Sequence, residues 1–251
     1  MRGVVFAATL LAAMVGPALA ADLPACPSNR APPLVLDHLR DKIATNHEAT
    51  IVALGSSSTE GSQASDVAHT YPALLQADLN TALPTAHIAI INRGVGGQDV
   101  AEMLARIETD ALAVHPQLVI WQVGANGAMR GVAPDLFKRL LTAGIKRLKA
   151  AHVDVVLMDN QRAPLILAAK GHNEIDQIMA EVAQANGAGL FARSALMDQW
   201  RVSGFPYDRF MSGDGLHQND YGYRCVAAAL SAAIVEGLKP AASPAQTTAK
   251  K

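Results

Sequence analysis

Four short polar stretches of the chain contain the residue types that covalent catalysis uses. They are a serine- and glycine-rich stretch at 55–61 (GSSSTEG), a glycine-rich stretch at 92–98 (NRGVGGQ), the tetrapeptide GANG at 124–127, and the pair Asp214 and His217. A serine hydroxyl is a poor nucleophile near neutral pH, so it needs a base within hydrogen-bonding reach and an acceptor that orients this base. Glycine lets main-chain N–H groups approach closely, and asparagine adds an amide donor for an oxyanion. Together, the four stretches indicate attack by a serine on a carbonyl carbon.

The hydrophobic pattern predicts the elements that must position these stretches. Short apolar runs rich in β-branched residues are typical of strands buried on both faces, and they lie at 50–54, 87–91, 118–123 and 153–158. A fifth, shorter strand is predicted at 189–191. Segments with apolar residues three and four positions apart predict helices at 71–83, 100–114, 136–150 and 220–237. This alternation predicts an α/β fold in which helices cover both faces of a parallel sheet.

The polar stretches fall where such a sheet binds ligands. In open parallel sheets, ligands occupy the crevice at the carboxyl ends of the strands. The stretches at 55–61, 92–98 and 124–127 each follow a predicted strand, and Asp214 and His217 precede the last predicted helix. Each stretch alone is also typical of an ordinary turn. Their shared position predicts that they meet at one edge of the sheet.

In this order the stretches resemble the sequence blocks of the SGNH hydrolase family, also called GDSL esterases and lipases, and the resemblance extends over nearly all of residues 21–239. The family's G-D-S-x-T block is similar to residues 55–59 (GSSST), which implies that Ser57 is the nucleophile, and not Ser56 or Ser58. The resemblance implies a flavodoxin-like fold, a three-layer α/β/α sandwich with a five-stranded parallel sheet. It also implies ester hydrolysis through an acyl-enzyme.

Two further blocks imply an oxyanion hole. The family's N-x-G-x-x-G block is similar to residues 92–97, which places its oxyanion glycine at Gly97. The G-x-N-D block is similar to residues 124–127, which places its oxyanion asparagine at Asn126. The implied donors are therefore the backbone N–H groups of Ser57 and Gly97 and the side-chain amide of Asn126.

The D-x-x-H block matches Asp214 and His217, which implies that His217 is the base and Asp214 its orienting carboxylate. The same spacing occurs a second time, in Asp66 and His69. This second pair lies at the start of a predicted helix, where a capping or solvated turn is the expected role. The sequence therefore favours His217 as the base.

Two positions depart from the family pattern. Ser56 and Gly127 both stand where the family usually has aspartate. Neither position supplies the nucleophile, the base or an oxyanion donor. We therefore expect altered loop packing or substrate preference, and not a loss of chemistry.

Other enzyme templates fit less well. Ser57 is not in a G-x-S-x-G elbow, because position 59 is threonine. The glycines at 94–97 do not have the G-x-G-x-x-G spacing, and His47-Glu48 does not continue as H-E-x-x-H. We therefore expect neither a nucleotide cofactor nor a catalytic metal.

Composition limits the partners. The 251 residues include 21 Lys and Arg against 22 Asp and Glu, for a net charge of −1, and there is no basic block. Nucleic acid is therefore not an expected partner.

With 50% hydrophobic residues the chain can bury one sizeable core, so a single domain is expected at residues 21–239. The Ala-, Pro- and Thr-rich residues 240–251 are expected to form a disordered tail. The sequence does not indicate an oligomeric state.

The first residues are typical of an export signal. A basic Arg2 precedes an apolar run at 3–15, and the small residues at 18–20 suggest cleavage after Ala20. The apolar run is too short to span a bilayer, which needs about 20 residues in a helix. The expected location is therefore periplasmic or extracellular, and no transmembrane segment is expected.

Export would place the two cysteines in an oxidising compartment, where thiols can pair. Cys26 lies near the expected mature N-terminus and Cys225 lies in the last predicted helix. A disulfide and two unpaired, buried thiols both remain open from the sequence.

The substrate is less well defined by the sequence. Aromatic residues cluster at 200–223 on both sides of Asp214 and His217, where they either wall an acyl or sugar pocket or, as is more common, anchor the last helix. Arg130 either meets a polar substrate or is simply exposed. The absence of a large apolar insertion favours small acyl groups, with acetylated carbohydrate first. The alternatives are an arylesterase, thioesterase or lysophospholipase, or a carbohydrate-binding module without catalysis.

Overall fold

The structure is a computed structural model, and it describes residues 24–239 of the chain. The expected export signal at 1–20 and the expected tail at 240–251 lie outside the described residues. No helix between residues 24 and 239 combines the length and the apolar character that a bilayer crossing requires.

Five parallel strands form one sheet in the order β2-β1-β3-β4-β5. The strands are β1 (Glu48–Gly55), β2 (His87–Gly94), β3 (Leu118–Gln122), β4 (Asp154–Met158) and β5 (Gly189–Phe191). Each of the five predicted strands is present, and the strand order is that of a flavodoxin-like sheet. The predicted fold class is therefore confirmed.

Ten α-helices connect and cover the strands. They are α1 (Asp37–Asn46), α2 (Ser57–Glu60), α3 (Tyr71–Ala82), α4 (Val100–Ala105), α5 (Ala125–Arg130), α6 (Pro134–Ala150), α7 (Pro164–Leu167), α8 (His172–Ala185), α9 (Arg193–Val202) and α10 (Asp220–Gly237), as counted within residues 24–239. Two of the short ones, α2 and α5, begin at the carboxyl ends of β1 and β3, where the polar stretches lie.

The core consists of two apolar clusters, one on each face of the sheet. Alternate residues of a strand point to opposite faces, so Ile51 and Ala53 of β1 belong to one cluster and Val52 and Leu54 to the other. The first cluster joins the sheet to α1, α3, α9 and α10, and the second joins it to α4, α6 and α8. This packing forms the three-layer sandwich.

Two details of the prediction are wrong. Strand β2 is not buried on both faces: it lies at the edge of the sheet, and Ile88 is its only buried residue. The predicted helix at 100–114 is interrupted, because α4 ends at Ala105 and a π turn (Ile107–Ala111) and a 3₁₀ turn follow. At the break, Arg106 turns its guanidinium back to the carbonyl oxygen of Gly55 at the end of β1, at 3.0 Å.

The N-terminal segment is held against α10. Cys26 and Cys225 form a disulfide, which decides between the two alternatives that the sequence left open. Nearby, the Tyr221 hydroxyl donates to the carbonyl oxygen of Ala25 at 2.9 Å. The segment that precedes the sheet is thus attached, covalently and by a hydrogen bond, to the helix that begins just after His217.

Candidate active site

Ser57 is the first residue of α2, a short helix that starts immediately after β1. The carbonyl oxygen of Ser57 accepts hydrogen bonds from the N–H groups of Gly61 and Ser62, both at 2.9 Å, which fix the turn. The end of β2 passes very close to this turn: a Cβ on Gly94 would lie 2.0 Å from the nitrogen of Glu60. Glycine at position 94 is therefore required for the close approach.

The structure brings the predicted nucleophile, base and carboxylate together. His217 Nε2 lies 2.7 Å from Ser57 Oγ, and His217 Nδ1 lies 2.6 Å from Asp214 Oδ2. Asp214 Oδ1 accepts hydrogen bonds from the N–H groups of Leu216 and His217, both at 2.9 Å, and from Ser212 Oγ at 2.6 Å. This is the geometry in which a carboxylate orients a histidine that removes a proton from serine.

The pKa of Asp214 reflects these contacts. Partial burial acts to raise the pKa of this carboxyl, but the hydrogen bonds from Ser212 and from the main chain and side chain of His217 outweigh burial and hold the pKa well below its usual range. Asp214 therefore carries its negative charge at neutral pH, and it can stabilise a positively charged His217.

The predicted oxyanion donors lie on neighbouring loops that are tied together. Asn126, in the first turn of α5, donates through Nδ2 to the carbonyl oxygen of Gln98 at 2.8 Å, and Arg130 donates to the carbonyl oxygen of Gly97 at 2.6 Å. Gly97 has a φ of +80°, which favours glycine. Among the hydrogen bonds of residues 24–239, the N–H groups of Ser57 and Gly97 have no protein acceptor. Neither N–H group is therefore used within the described part of the chain, as the predicted role requires.

We predict that Asn126→Ala lowers kcat by about 10²- to 10³-fold, because one side-chain donor to the developing oxyanion is lost. The measurement is steady-state hydrolysis of a chromogenic acetate ester. Asn80→Ala is the matched control, because Asn80 also bonds main-chain groups, the N–H and C=O of Ile88, at the opposite end of the sheet. An Asn126 variant that keeps the wild-type kcat would contradict the assignment.

The departure at position 56 has a structural explanation. Gln122, the last residue of β3, accepts through Oε1 from the N–H and the Oγ of Ser56, both at 3.0 Å, and from Thr59 Oγ1 at 3.2 Å. Ser56 and Gln122 are both buried. Ser56, which stands where the family usually has an aspartate, is therefore held by Gln122, and together the two residues fix the turn that carries Ser57. Sequence analysis did not identify Gln122, although a polar residue within the apolar run LVIWQV was a usable signal.

At the second departure, Gly127 is buried in α5, and a Cβ there would lie 3.7 Å from Phe137 and 3.8 Å from Val132. Its surroundings are thus apolar.

The second D-x-x-H pair does not reach the serine. His69 Nδ1 lies 2.8 Å from Asp66 Oδ1, which also accepts from the N–H groups of Ala68 and His69 and caps a short 3₁₀ turn. Both side chains are exposed, by 41% and 58%, whereas His217 is only 14% exposed. The capping role that the sequence suggested agrees with this geometry.

The aromatic cluster mostly anchors the closing helix. Phe210 lies between Trp200 and Tyr221, with ring centroids 4.8 Å and 5.3 Å apart, and all three are buried. This packing matches the more common of the two roles that the sequence left open. Arg130 is half-exposed, and its hydrogen bond to the carbonyl oxygen of Gly97 holds the Gly97 loop.

A buried polar network lies beyond the end of β4. Both carboxylate oxygens of Asp159 accept from Ser194, at 2.8 Å from its N–H and 2.5 Å from its Oγ, and the main-chain oxygen of Asp159 accepts twice from Arg193. Burial raises the pKa of Asp159 to about 7, and repulsion from Asp176 adds to the effect. Asp159 is therefore protonated in the folded protein at pH values where an unfolded chain would release the proton.

This shift predicts a pH-dependent stability. Between the unfolded pKa of about 3.9 and the folded pKa of about 7, Asp159 is protonated in the folded state but ionised in the unfolded state. The contribution of Asp159 to the free energy of unfolding therefore falls as pH rises through this window. Asp159→Asn does not titrate and keeps an acceptor for Ser194. The free energy of unfolding of the variant minus that of wild type should therefore rise by more than about 1 kcal/mol from pH 5 to pH 8, since one pKa unit is worth about 1.4 kcal/mol. Urea unfolding at both pH values measures the difference; a constant difference would show that Asp159 is ionised throughout.

Comparison with known proteins gives the same fold. A two-domain esterase active on acetylated mannans (CEX) has a TM-score of 0.72 and 21% identity; the match covers 86% of this chain and 57% of that one. The lipase/acylhydrolase from Enterococcus faecalis has a TM-score of 0.65 and 25% identity, and the match covers 78% of this chain and 100% of that one. An acetyl-xylooligosaccharide esterase from Geobacillus Stearmophilus has a TM-score of 0.63 and 18% identity, with 74% and 93% covered. A search of curated protein sequences gives no significant match.

The fold and the serine, histidine and aspartate at its carboxyl edge define the class of SGNH-type ester hydrolases. Within this class, residues 24–240 match the model of the Non-GDSL lipase-like family, and the chain belongs to that family. The resemblance found in the sequence is therefore confirmed.

Within residues 24–239, no three His, Cys, Asp or Glu side chains are grouped closely enough to hold a metal ion.

Proposed function

We propose that the protein is an exported serine esterase that hydrolyses carboxylic esters through an acyl-enzyme on Ser57, with a preference for small acyl groups such as O-acetyl on carbohydrate. The observation that supports this most is the 2.7 Å contact between Ser57 Oγ and His217 Nε2, with Asp214 on the other ring nitrogen. The family of the chain, whose members are lipase-like, agrees with ester substrates.

In the first half of the reaction, Ser57 Oγ attacks the ester carbonyl carbon while His217 Nε2 takes the hydroxyl proton. The N–H groups of Ser57 and Gly97 and the Asn126 amide donate to the oxyanion of the tetrahedral intermediate. His217 then returns the proton to the alcohol oxygen, the C–O bond breaks, and the acyl group stays on Ser57. Asp214 remains ionised throughout and orients the imidazole.

In the second half, water takes the place of the alcohol. His217 removes a proton from the water, which attacks the acyl-enzyme through a second oxyanion held by the same donors. Proton return to Ser57 Oγ releases the carboxylic acid. Each proton that His217 accepts is thus given back within the cycle, and no cofactor is needed.

Acetylated carbohydrate as the substrate is supported by two of the similar structures. Two of the similar structures are esterases that act on acetylated mannans and acetyl-xylooligosaccharides, which agrees with this preference.

The test is hydrolysis of p-nitrophenyl acetate, butyrate and octanoate, beside acetate release from acetylated xylan and peptidoglycan. The proposal predicts that kcat/KM falls with chain length and that acetate is released from a polysaccharide. A maximum at octanoate would favour a lysophospholipase or thioesterase of the same fold. No turnover of any ester, combined with binding to the polysaccharides, would favour a carbohydrate-binding module.

Export is supported by the composition of residues 1–20 and by the disulfide between Cys26 and Cys225, since disulfides persist in oxidising compartments. We expect the mature protein to begin at Ala21 and to lie in the periplasm or the medium, which cell fractionation and N-terminal sequencing would test.

A further inference from the structure

Gln161 lies three residues beyond the end of β4, and it is 1% exposed. The side chain makes three hydrogen bonds. Its Oε1 accepts from Arg193 Nη2 at 2.7 Å, and its Nε2 donates to Ser58 Oγ at 3.2 Å and to the carbonyl oxygen of Leu216 at 2.9 Å. The amide is thus fully used in a buried position.

Arg193 fixes which way the amide of Gln161 points. A guanidinium has only donors, so the atom that faces it must be the amide oxygen, and the NH₂ group must face Ser58 and Leu216. Arg193 is itself fully buried and is held by the main-chain oxygen of Asp159, at 3.1 Å from Nε and 2.7 Å from Nη2. The end of β4 therefore sets the position and the orientation of the Gln161 amide.

The two acceptors of Gln161 lie on the two segments that the reaction must bring together. Ser58 follows Ser57 in α2, and Leu216 precedes His217 in its loop. These segments are about 160 residues apart in sequence, and their reacting atoms meet in the 2.7 Å contact between His217 and Ser57. Two other hydrogen bonds between these regions involve Ser62 and Ser65, which lie further along the chain than Ser58.

We propose that Gln161 is a positioning residue that sets the distance between Ser57 and His217, by joining the nucleophile turn to the histidine loop through one amide group. The inference rests on the proposed esterase function. Gln161 touches neither substrate nor the reacting atoms; it acts through Ser58 and Leu216. Because a misplacement of about 1 Å can cost about 10²-fold in rate, loss of this join is expected to lower kcat by about 10- to 100-fold.

The experiment compares Gln161→Leu with Gln117→Leu. Gln117 is a matched control, because its side chain also joins main-chain groups of two segments, Thr50 N–H at 2.9 Å and His115 C=O at 3.0 Å, but at the amino end of the sheet. We expect both variants to lose thermal stability. Only Gln161→Leu should lower kcat for p-nitrophenyl acetate, with KM within about threefold of wild type, and it should slow labelling of Ser57 by a fluorophosphonate to a similar degree.

A second variant tests the proposal if the leucine variant does not fold. Gln161→Glu keeps the length of the side chain and its contact with Arg193, but an ionised carboxylate has no hydrogen to donate to Ser58 or Leu216. The proposal predicts the same loss of kcat and of labelling rate. A glutamate variant with wild-type kcat, or a leucine variant no slower than the Gln117 control, would overturn it. Absence of ester turnover in wild type would instead refute the proposed function.

Discussion

Ser57→Ala is expected to lower kcat for ester hydrolysis by about 10⁴- to 10⁶-fold, because the acyl-enzyme can no longer form and the remaining donors act only on direct attack by water. The Ser57 hydroxyl is in a part-buried hydrogen bond with His217, and we expect its removal to change the unfolding temperature little. Hydrolysis of p-nitrophenyl acetate, with unfolding followed by circular dichroism, measures both. Equal turnover in variant and wild type would exclude Ser57 as the nucleophile.

The chain contains its own control for the base. His217→Ala should cost as much as Ser57→Ala, because the imidazole and the hydroxyl act as one unit. His69→Ala removes the other histidine of a D-x-x-H pair, one that is hydrogen-bonded to Asp66 in the same way but has no contact with Ser57. We expect full activity in the His69 variant. The reverse result would assign the base to the second pair.

The sequence was sufficient for the fold because the apolar runs are short and, in β1, β3 and β4, mostly buried. Four runs and a weak fifth gave all five strands, and α10 has the predicted bounds, Asp220–Gly237. The helix α8 was not predicted, although Ile175, Ile178, Met179 and Val182 have helical spacing and are buried. The interruption after Ala105 was not visible, because it depends on Arg106 reaching a carbonyl oxygen 51 positions earlier in the chain.

In the site, too, local sequence patterns identified some residues, whereas residues that depend on distant partners were missed. Motif spacing indicated Ser57, Asp214 and His217, and the structure places them within hydrogen-bonding distance. Sequence analysis did not identify the residues that hold the turn and loop, Gln122 and Gln161, since each is a single glutamine whose partners lie 32 to 103 positions away. Polar residues at or just beyond the carboxyl end of an apolar strand are the signal to examine in similar chains.

The second large effect concerns stability. The disulfide closes a loop between residues 199 positions apart, so breaking it releases the unfolded chain from a long constraint, worth about 5 kcal/mol in the chain-entropy model. We expect Cys26→Ala/Cys225→Ala to lose that much free energy of unfolding, measured by urea denaturation. Reduced wild type should lose a similar amount, which separates loss of the bond from loss of the sulfur atoms that pack against the core.

Tyr221→Phe is the matched control for the disulfide. It removes the hydrogen bond to Ala25, which holds the same segment to the same helix without a covalent link, and it should cost about 1 kcal/mol. The constraint acts on the unfolded chain and the triad lies on other segments, so kcat of the folded double variant should match wild type. A double variant no less stable than Tyr221→Phe would mean that the unfolded chain already keeps its ends close together, and the entropy argument would fail.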